Sequence, residues 1–301
     1  MHRRLERAQE FTLTQSFVDI AFKGSLYALF AIGYALTYSA GGTLNVAHPI
    51  SAMAAAAAVS WLLARDQPIW IAGGGGVAAG AIAGVLVDRI VLWPARSRGG
   101  GPLGPARPLI AGLAALAAFG ALAPEPERPT HALHAGIFRI GGFGVPKLMV
   151  EGTIACILAL VAVVLLVRAT RYGLGLRALA SNAAAARAAG IGVEPMHIRT
   201  ALLASACGAL AAVTLFTAPY YFAGRSTPFD LPLAGLAAVA LGGLASIPAA
   251  IVGAFVVATA QIFVPTADAS DAVAAALLVL SIAFLPRGMF PVTRLRETDR
   301  A

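Results

Sequence analysis

Long apolar stretches, separated by short polar or charged clusters, run from residue 16 to about residue 286. They cover 16–39, 45–64, 68–92, 107–123, 147–168, 199–222, 231–245, 248–265 and 270–286. Most hold about 17–25 residues, enough for an α-helix to cross a hydrocarbon core about 30 Å thick. The pattern predicts an all-α polytopic membrane protein of about eight transmembrane helices, some broken or re-entrant. Two interruptions stand out. Residues 41–51, GGTLNVAHPIS, set Asn45, His48 and Pro49 at the junction of two apolar segments. Residues 241–254, LGGLASIPAAIVGA, carry Gly242, Gly243, Ser246, Pro248 and Gly253.

Composition supports the pattern. Of 301 residues, 59% are hydrophobic and only 12% charged, where a soluble domain carries roughly a quarter charged residues. The net charge of +8 sorts into connections rather than onto a nucleic-acid-binding face, and no nucleic-acid partner is expected. Residues 93–107 carry Arg96, Arg98 and Arg107 with no acid, and 168–199 set five arginines against Glu194. Arg287, Arg294, Arg296 and Arg300 follow the last stretch. The positive-inside rule puts these three regions in the cytoplasm and leaves 124–146, 223–230 and 266–271 outside. Residues 1–15 read as a polar arm, cytosolic or interfacial, with Arg3, Arg4 and Arg7 favouring an inner start. Three crossings from an inner start would put 93–107 outside. Either the arm is external, or one early segment enters and leaves by the same face. Cys156 and Cys207 fall inside apolar spans and read as small packing residues.

The chain contains no GxxxxGK[ST], HExxH, CxxC or GxSxG, so it lacks the motifs of the common enzymes. Its candidate chemistry lies at the interruptions. Pro49 suits a helix's first turn and not its interior, so one helix ends near 41 and another starts at about Pro49. The break is either a surface turn capped by His48 or irregular backbone at membrane depth, which is tolerated only where it is buried in protein or lines a water-filled path. Paired Gly/Pro-broken segments in the two halves point to a transport site, which makes Asn45, His48, Pro49, Gly242, Gly243 and Ser246 candidate path residues. The i, i+4 pairs Asp19–Lys23 and Lys147–Glu151 read as interfacial ion pairs, as do Asp88 and Arg89. No deep carboxylate suggests coupling to protons or sodium. In 170–198, Ser181 or Asn182 can cap a short alanine helix that ends at Gly190. Alone such a helix is marginal, so a partner is expected to order it.

Five motifs, in order, give the chain a resemblance to the branched-chain amino acid ABC transporter permeases of the LivH type. They are GSLYALFAIGYALTYSAGGTLNVAHP (24–49), DRIVLWPAR (88–96), YGLGLRALASNAAAARAAGI (172–191), ALGGLASIPAAIVGA (240–254) and LLVLSIAFLPRGMF (277–290). The resemblance implies an ABC importer permease fold over 16–290, a cytoplasmic coupling loop at 170–198 and a cytoplasmic tail at 291–301. It implies a bacterial cytoplasmic membrane location and four kinds of partner: lipid, a second permease subunit, two cytoplasmic ATPase subunits and an extracytoplasmic solute-binding protein. No cofactor would bind this chain, and ATP would be hydrolysed by the partner subunits. Arg177, Arg187 and Gly190 would be the coupling residues. Departures fall at Pro49, at Ser51 or Ile50 where an acid commonly follows, at Ala234 where the family often has lysine, and at Ala245 and Ala249 where it has glycine. The missing lysine leaves the substrate open among small polar solutes such as amino acids, amides and urea. A passive channel or secondary carrier, and a structural membrane subunit, are the alternative readings.

Overall fold

The computed structural model describes residues 2–97, 104–122, 136–140, 143–218, 230–244, 246–264, 267–285 and 288–289. The 291–301 tail, Arg98, Ala245 and all of 124–135 and 219–229 lie outside the described residues. Helices follow the apolar stretches closely: α1 (His2–Gly41), α2 (Pro49–Leu63), α3 (Ile69–Val87), α4 (Trp93–Ser97), α5 (Arg107–Leu122) and α6 (Lys147–Ala169). Two short helices follow, α7 (Arg171–Ser181) and α8 (Ala183–Ala188). Then come α9 (Val193–Thr217), α10 (Asp230–Gly242), α11 (Ile247–Ile262) and α12 (Ala267–Phe284). A π-helical turn, Asp88–Leu92, joins α3 to α4, so one rod runs from Ile69 to Ser97. Part of the Pro-rich connection forms a feature the pattern does not announce, an antiparallel hairpin of β1 (Ile137–Ile140) and β2 (Phe143–Pro146).

Four rods are long and apolar enough to cross a membrane: Gln15–Gly41, Ile69–Ser97, Lys147–Ala169 and Val193–Thr217. Five apolar helices are shorter. α1 and α9 form the centre, and Phe22, Leu26, Leu29, Phe30, Ile32 and Leu36 of α1 are fully buried. Small residues let the other helices close on this pair. Along α3, Gly76, Gly80 and Gly84 lie against Val59, Ser51 and Ala55 of α2 and against Val213, Ala209 and Ser205 of α9. A Cβ at any of the three would collide with these neighbours. Spacing of this small-xxx-small kind brings helices together in lipid, where no hydrophobic effect drives association.

The two ends of the bundle are distinguishable. At one end Gly41 meets Arg96 and His197, near the arginines of α7 and α8. At the other, Lys23 feels the charges of Asp19, Asp230 and Asp271. There the Tyr27 hydroxyl donates to Gln261 Oε1 at 2.7 Å, and Gln261 Nε2 donates to the Ser270 carbonyl at 3.1 Å. The positive-inside rule assigns the arginine-rich end to the cytoplasm, and with that assignment α1 would run from outside to inside and the arm preceding it would be external. That orientation is one of the two the sequence leaves open for the arm, and it keeps every later crossing alternating. Trp61 and Trp70, both exposed, mark the outer interface around the α2–α3 turn, and Arg65 stacks 3.5 Å above the Trp61 ring. Lys147 and Glu151 pair at 3.5 Å, half-exposed, as expected for an interfacial pair.

This topology predicts the sidedness of labelling in right-side-out vesicles lacking native cysteines. Ser16→Cys and Asp66→Cys react with a membrane-impermeant maleimide directly, and Ser97→Cys reacts only after permeabilisation. Protection of Ser16→Cys would contradict the external arm.

Candidate functional site: a kink within the bundle above an inner cavity

α1 ends at Gly41, and the chain then turns back along it instead of leaving the bundle. Gly42 takes a left-handed φ of 67° and its N–H returns to the Tyr38 carbonyl at 2.8 Å. The next residues climb until the His48 ring lies beside Gly33. Gly33 precedes the helix end by eight residues, about 12 Å of rise. α2 therefore starts at depth. The Asn45 side chain builds the turn: its Oδ1 accepts the Ala47 N–H at 3.1 Å, and its carbonyl accepts the His48 N–H at 3.2 Å. Ser51 Oγ donates to the His48 carbonyl at 2.8 Å. Pro49 takes the first position of α2, where its missing N–H costs nothing.

His48 is 2% exposed, and its side chain makes no capping bond to α2. The surface-turn reading therefore does not hold. Its ring sits 4.6 Å from Phe30 and 4.9 Å from Tyr34, centroid to centroid. It fills a slot between Gly33 of α1 and Gly208 of α9. A Cβ on Gly208 would stand 3.0 Å from the ring, and one on Gly33 would overlap it. Neither ring nitrogen has a hydrogen-bond partner; the Phe30 carbonyl faces the ring outside bonding geometry. A buried polar group left unpaired costs about 1–3 kcal/mol. Sequence reasoning finds the histidine and misses both glycines of its slot, which carry no local signal among 32 glycines.

Below the kink lies a cavity of about 1130 Å³ at the cytoplasmic end. Its walls are the α1 terminus (Tyr38–Thr43), α4 with Trp93 and Arg96, and α7–α9 with Arg187, Glu194 and His197. Two contacts tie the Ile69–Ser97 rod to α9, and a third lies within the rod. Arg96 pairs with Asp88, Arg89 with Glu194 at 2.6 Å, and Trp93 meets His197 edge-on at 5.6 Å. Asp88 is thus neither interfacial nor partnered with Arg89: it is 4% exposed and bound to Arg96. The correction has a geometric cause. Eight residues along a regular α-helix end about 80° off the starting face. The π-turn absorbs one extra residue, so the pair behaves like residues seven apart, close to two whole turns. Asp88 and Arg96 are also the acid and final arginine of the 88–96 motif.

The 170–198 segment is more ordered than its sequence suggests. Thr170 caps α7, accepting the Gly173 N–H, and donates back to the Leu166 carbonyl at 2.5 Å. Arg177 donates to the Val167 carbonyl, capping the end of α6. Asn182, not Ser181, caps α8, accepting from Ala184 and Ala185 at 2.9 Å each. At the other end Gly190, with φ 83°, donates to Arg187, and Ile191 donates to Ala186, both at 3.0 Å. This is a complete Schellman closure. Of α8 only Ala186 is buried.

The structure does not bring the second interruption to the kink. Gly242 and Gly243 form an inner hairpin turn in which Gly242 packs directly on the Ala249 carbonyl. Ser246 caps α11 by accepting the Ala249 N–H at 3.4 Å. The segment after α12 clips onto this turn. Met289 donates to the Leu241 carbonyl at 2.8 Å, and Gly288, with φ 74°, presses backbone to backbone against Gly243. Ser246 lines a separate, smaller cavity, while Asn45 and His48 line neither.

A sequence profile described as the permease component of the branched-chain amino acid transport system matches residues 16–282. The high-affinity branched-chain amino acid transport system permease protein LivH of Salmonella typhimurium is 27% identical, with 93% of this chain and 95% of that one covered. LivH of Escherichia coli K12 is 26% identical over the same shares. Among solved structures, a metal-chelate type ABC transporter in an inward-facing conformation matches with a TM-score of 0.53 at 14% identity, covering 89% of this chain and 86% of that one. PsaBC from Streptococcus pneumoniae, solved with a Fab, matches with a TM-score of 0.50 at 13% identity, covering 93% of each. Those likenesses concern the fold.

Three variants test the geometry. Asp88→Asn leaves the Arg96 guanidinium without its counter-charge and costs about 3–5 kcal/mol, read as a lower Tm of the purified protein. The double replacement Asp88→Leu/Arg96→Leu recovers most of that loss, because no unpaired charge remains. Gly208→Val drives a side chain into the His48 slot and costs about 1–3 kcal/mol. A Tm unchanged by Gly208→Val would refute the slot.

Proposed function

The chain belongs to the branched-chain amino acid transport permease family, and from that premise we propose how its cavity, kink and short helices divide the work of import. It is a multi-pass protein of the bacterial cell membrane and an ABC importer permease, a channel-forming component rather than an enzyme. Its energy comes from ATPase subunits in the same complex. The finer assembly we propose is a second permease subunit, two cytoplasmic ATPases and an extracytoplasmic solute-binding protein. The solute is a branched-chain amino acid.

The inner cavity is the observation that carries this reading. It sets cationic Arg96 and Arg187 and anionic Glu194 around a floor of Trp93, Leu179, Ile191 and Val193. The apolar floor suits an aliphatic side chain and Arg187 suits a carboxylate, while Arg96 and Glu194 are already engaged by Asp88 and Arg89. The family's usual lysine is replaced by buried Ala234, and Arg187 in the cavity supplies the cationic charge instead. In this inward-open arrangement the kink seals the path above, with His48 parked in its slot. Asn45, His48 and Pro49 form the seal, and movement of His48 out of the slot gives its ring nitrogens polar partners along the path. Gly242, Gly243 and Ser246 hold the α10–α11 turn beside the coupling segment, acting on the path through that segment.

α8 is the surface on which an ATPase acts. Its caps make six residues a rigid body, Arg187 links it to the cavity wall, and Arg177 and Thr170 fasten α7 to α6. A displacement of α8 therefore reaches the cavity mouth and α6 together.

The test is uptake of radiolabelled leucine by cells or proteoliposomes carrying the complete importer. Arg187→Glu with Gly190→Pro abolishes uptake and ATPase co-purification while membrane insertion stays normal. Normal uptake in that variant removes the coupling role. Leucine flux through the purified chain without ATPases would support a passive channel instead.

A further inference from the structure

A second cavity, about 220 Å³, adjoins the first at the cytoplasmic end, with Ser39 and Ala180 lining both. Val164 and Val167 of α6, Leu176 of α7, and Ile247 with Pro248 of α11 form an apolar body. Arg168, Arg177, Ser39 and Ser246 provide its polar lining, and no carboxylate contributes. Arg168 is exposed, and among the described residues no ion pair engages it. The lipid-facing side of α6 leads down to this position, with Leu158, Val161 and Leu165 all exposed. Two guanidiniums over an apolar slot, at the inner membrane surface, complement an anionic phosphate ester carrying acyl chains. Basic pockets between transmembrane helices on the cytoplasmic side bind such headgroups, and guanidinium suits phosphate through its fork of donors.

We propose that this cavity is a binding site for an anionic phospholipid of the inner leaflet. The phosphate meets Arg168 and the free donors of Arg177, and the start of an acyl chain packs against Val164 and Ile247. The occupied site bridges α6, α7 and α11, so the lipid braces the corner that Arg177 already ties to Val167. This goes beyond the transport reading and does not depend on the identity of the solute.

The experiment uses the full-length chain purified in detergent and measures lipid binding by native mass spectrometry and Tm. The probes are dioleoylphosphatidylglycerol, dioleoylphosphatidylcholine and inorganic phosphate. Phosphatidylglycerol binds and raises the Tm, and neither of the other probes does. Arg168→Gln binds phosphatidylglycerol about fivefold more weakly. Arg171→Gln, a neighbouring surface arginine outside the cavity, binds as the unmodified protein does. Val164→Trp fills the apolar body, keeps both arginines and also loses the bound lipid. Arg177 stays intact throughout, because its loss would uncap α6. Equal binding of both lipids, an equal effect of inorganic phosphate, or retention of lipid by Arg168→Gln or Val164→Trp would each overturn the proposal. Unimpaired leucine uptake beside lost lipid binding leaves the transport reading standing.

Discussion

Backbone that leaves the helix below the membrane surface has no water to bond, so its polar groups must be paired within the protein. That constraint shapes residues 41–51. Gly42 returns its N–H to α1, Asn45 supplies a side-chain acceptor for Ala47, and Pro49 has no N–H to satisfy. A polar residue, a histidine and a proline sit between apolar segments because together they let the chain break at depth. The surrounding helices then fit this break: α1 and α9 each give up a side chain at Gly33 and Gly208 to receive the His48 ring.

The same logic extends to the cytoplasmic end. Arg96 lines the cavity with buried Asp88 behind it, and the π-turn brings the two charges to one face of a single rod. Buried pairs contribute little net stability, but breaking one is expensive, so the pair fixes α4 against the π-turn it follows. Arg89–Glu194 and Trp93–His197 add lateral ties. On the other flank, the Gly288–Gly243 contact joins the end of α12 to the α10–α11 turn. Two separate motifs of the sequence therefore meet at one point.

Much of this was legible in the sequence. Helix ends at Gly41 and Pro49, the caps at Asn182 and Gly190, and the inner arginine loops follow from residue chemistry within a few positions of each site. What the sequence did not disclose depends on distant partners or on register. Asp88 looks like an interfacial residue until a π-turn carries Arg96 to it. The slot glycines are separated by 175 residues (208 − 33) and resemble any other packing glycine. The arm's own arginines do not reveal which end of the bundle it joins; that end is marked by the Tyr27–Gln261 bond and by the acidic surroundings of Lys23. α7 escaped notice because its glycines mask an amphipathic helix whose buried face is Gly173, Gly175, Leu176 and Leu179.

Reactivity of a cysteine replacing His48 tests the depth of the kink most directly. In cysteine-free protein, reconstituted with the ATPases but without ATP, His48→Cys should resist a membrane-impermeant maleimide from either side, while Gly42→Cys reacts from the cytoplasmic side. Labelling of His48→Cys as fast as Gly42→Cys would show that the break lies in bulk solvent, and the buried seal would be wrong.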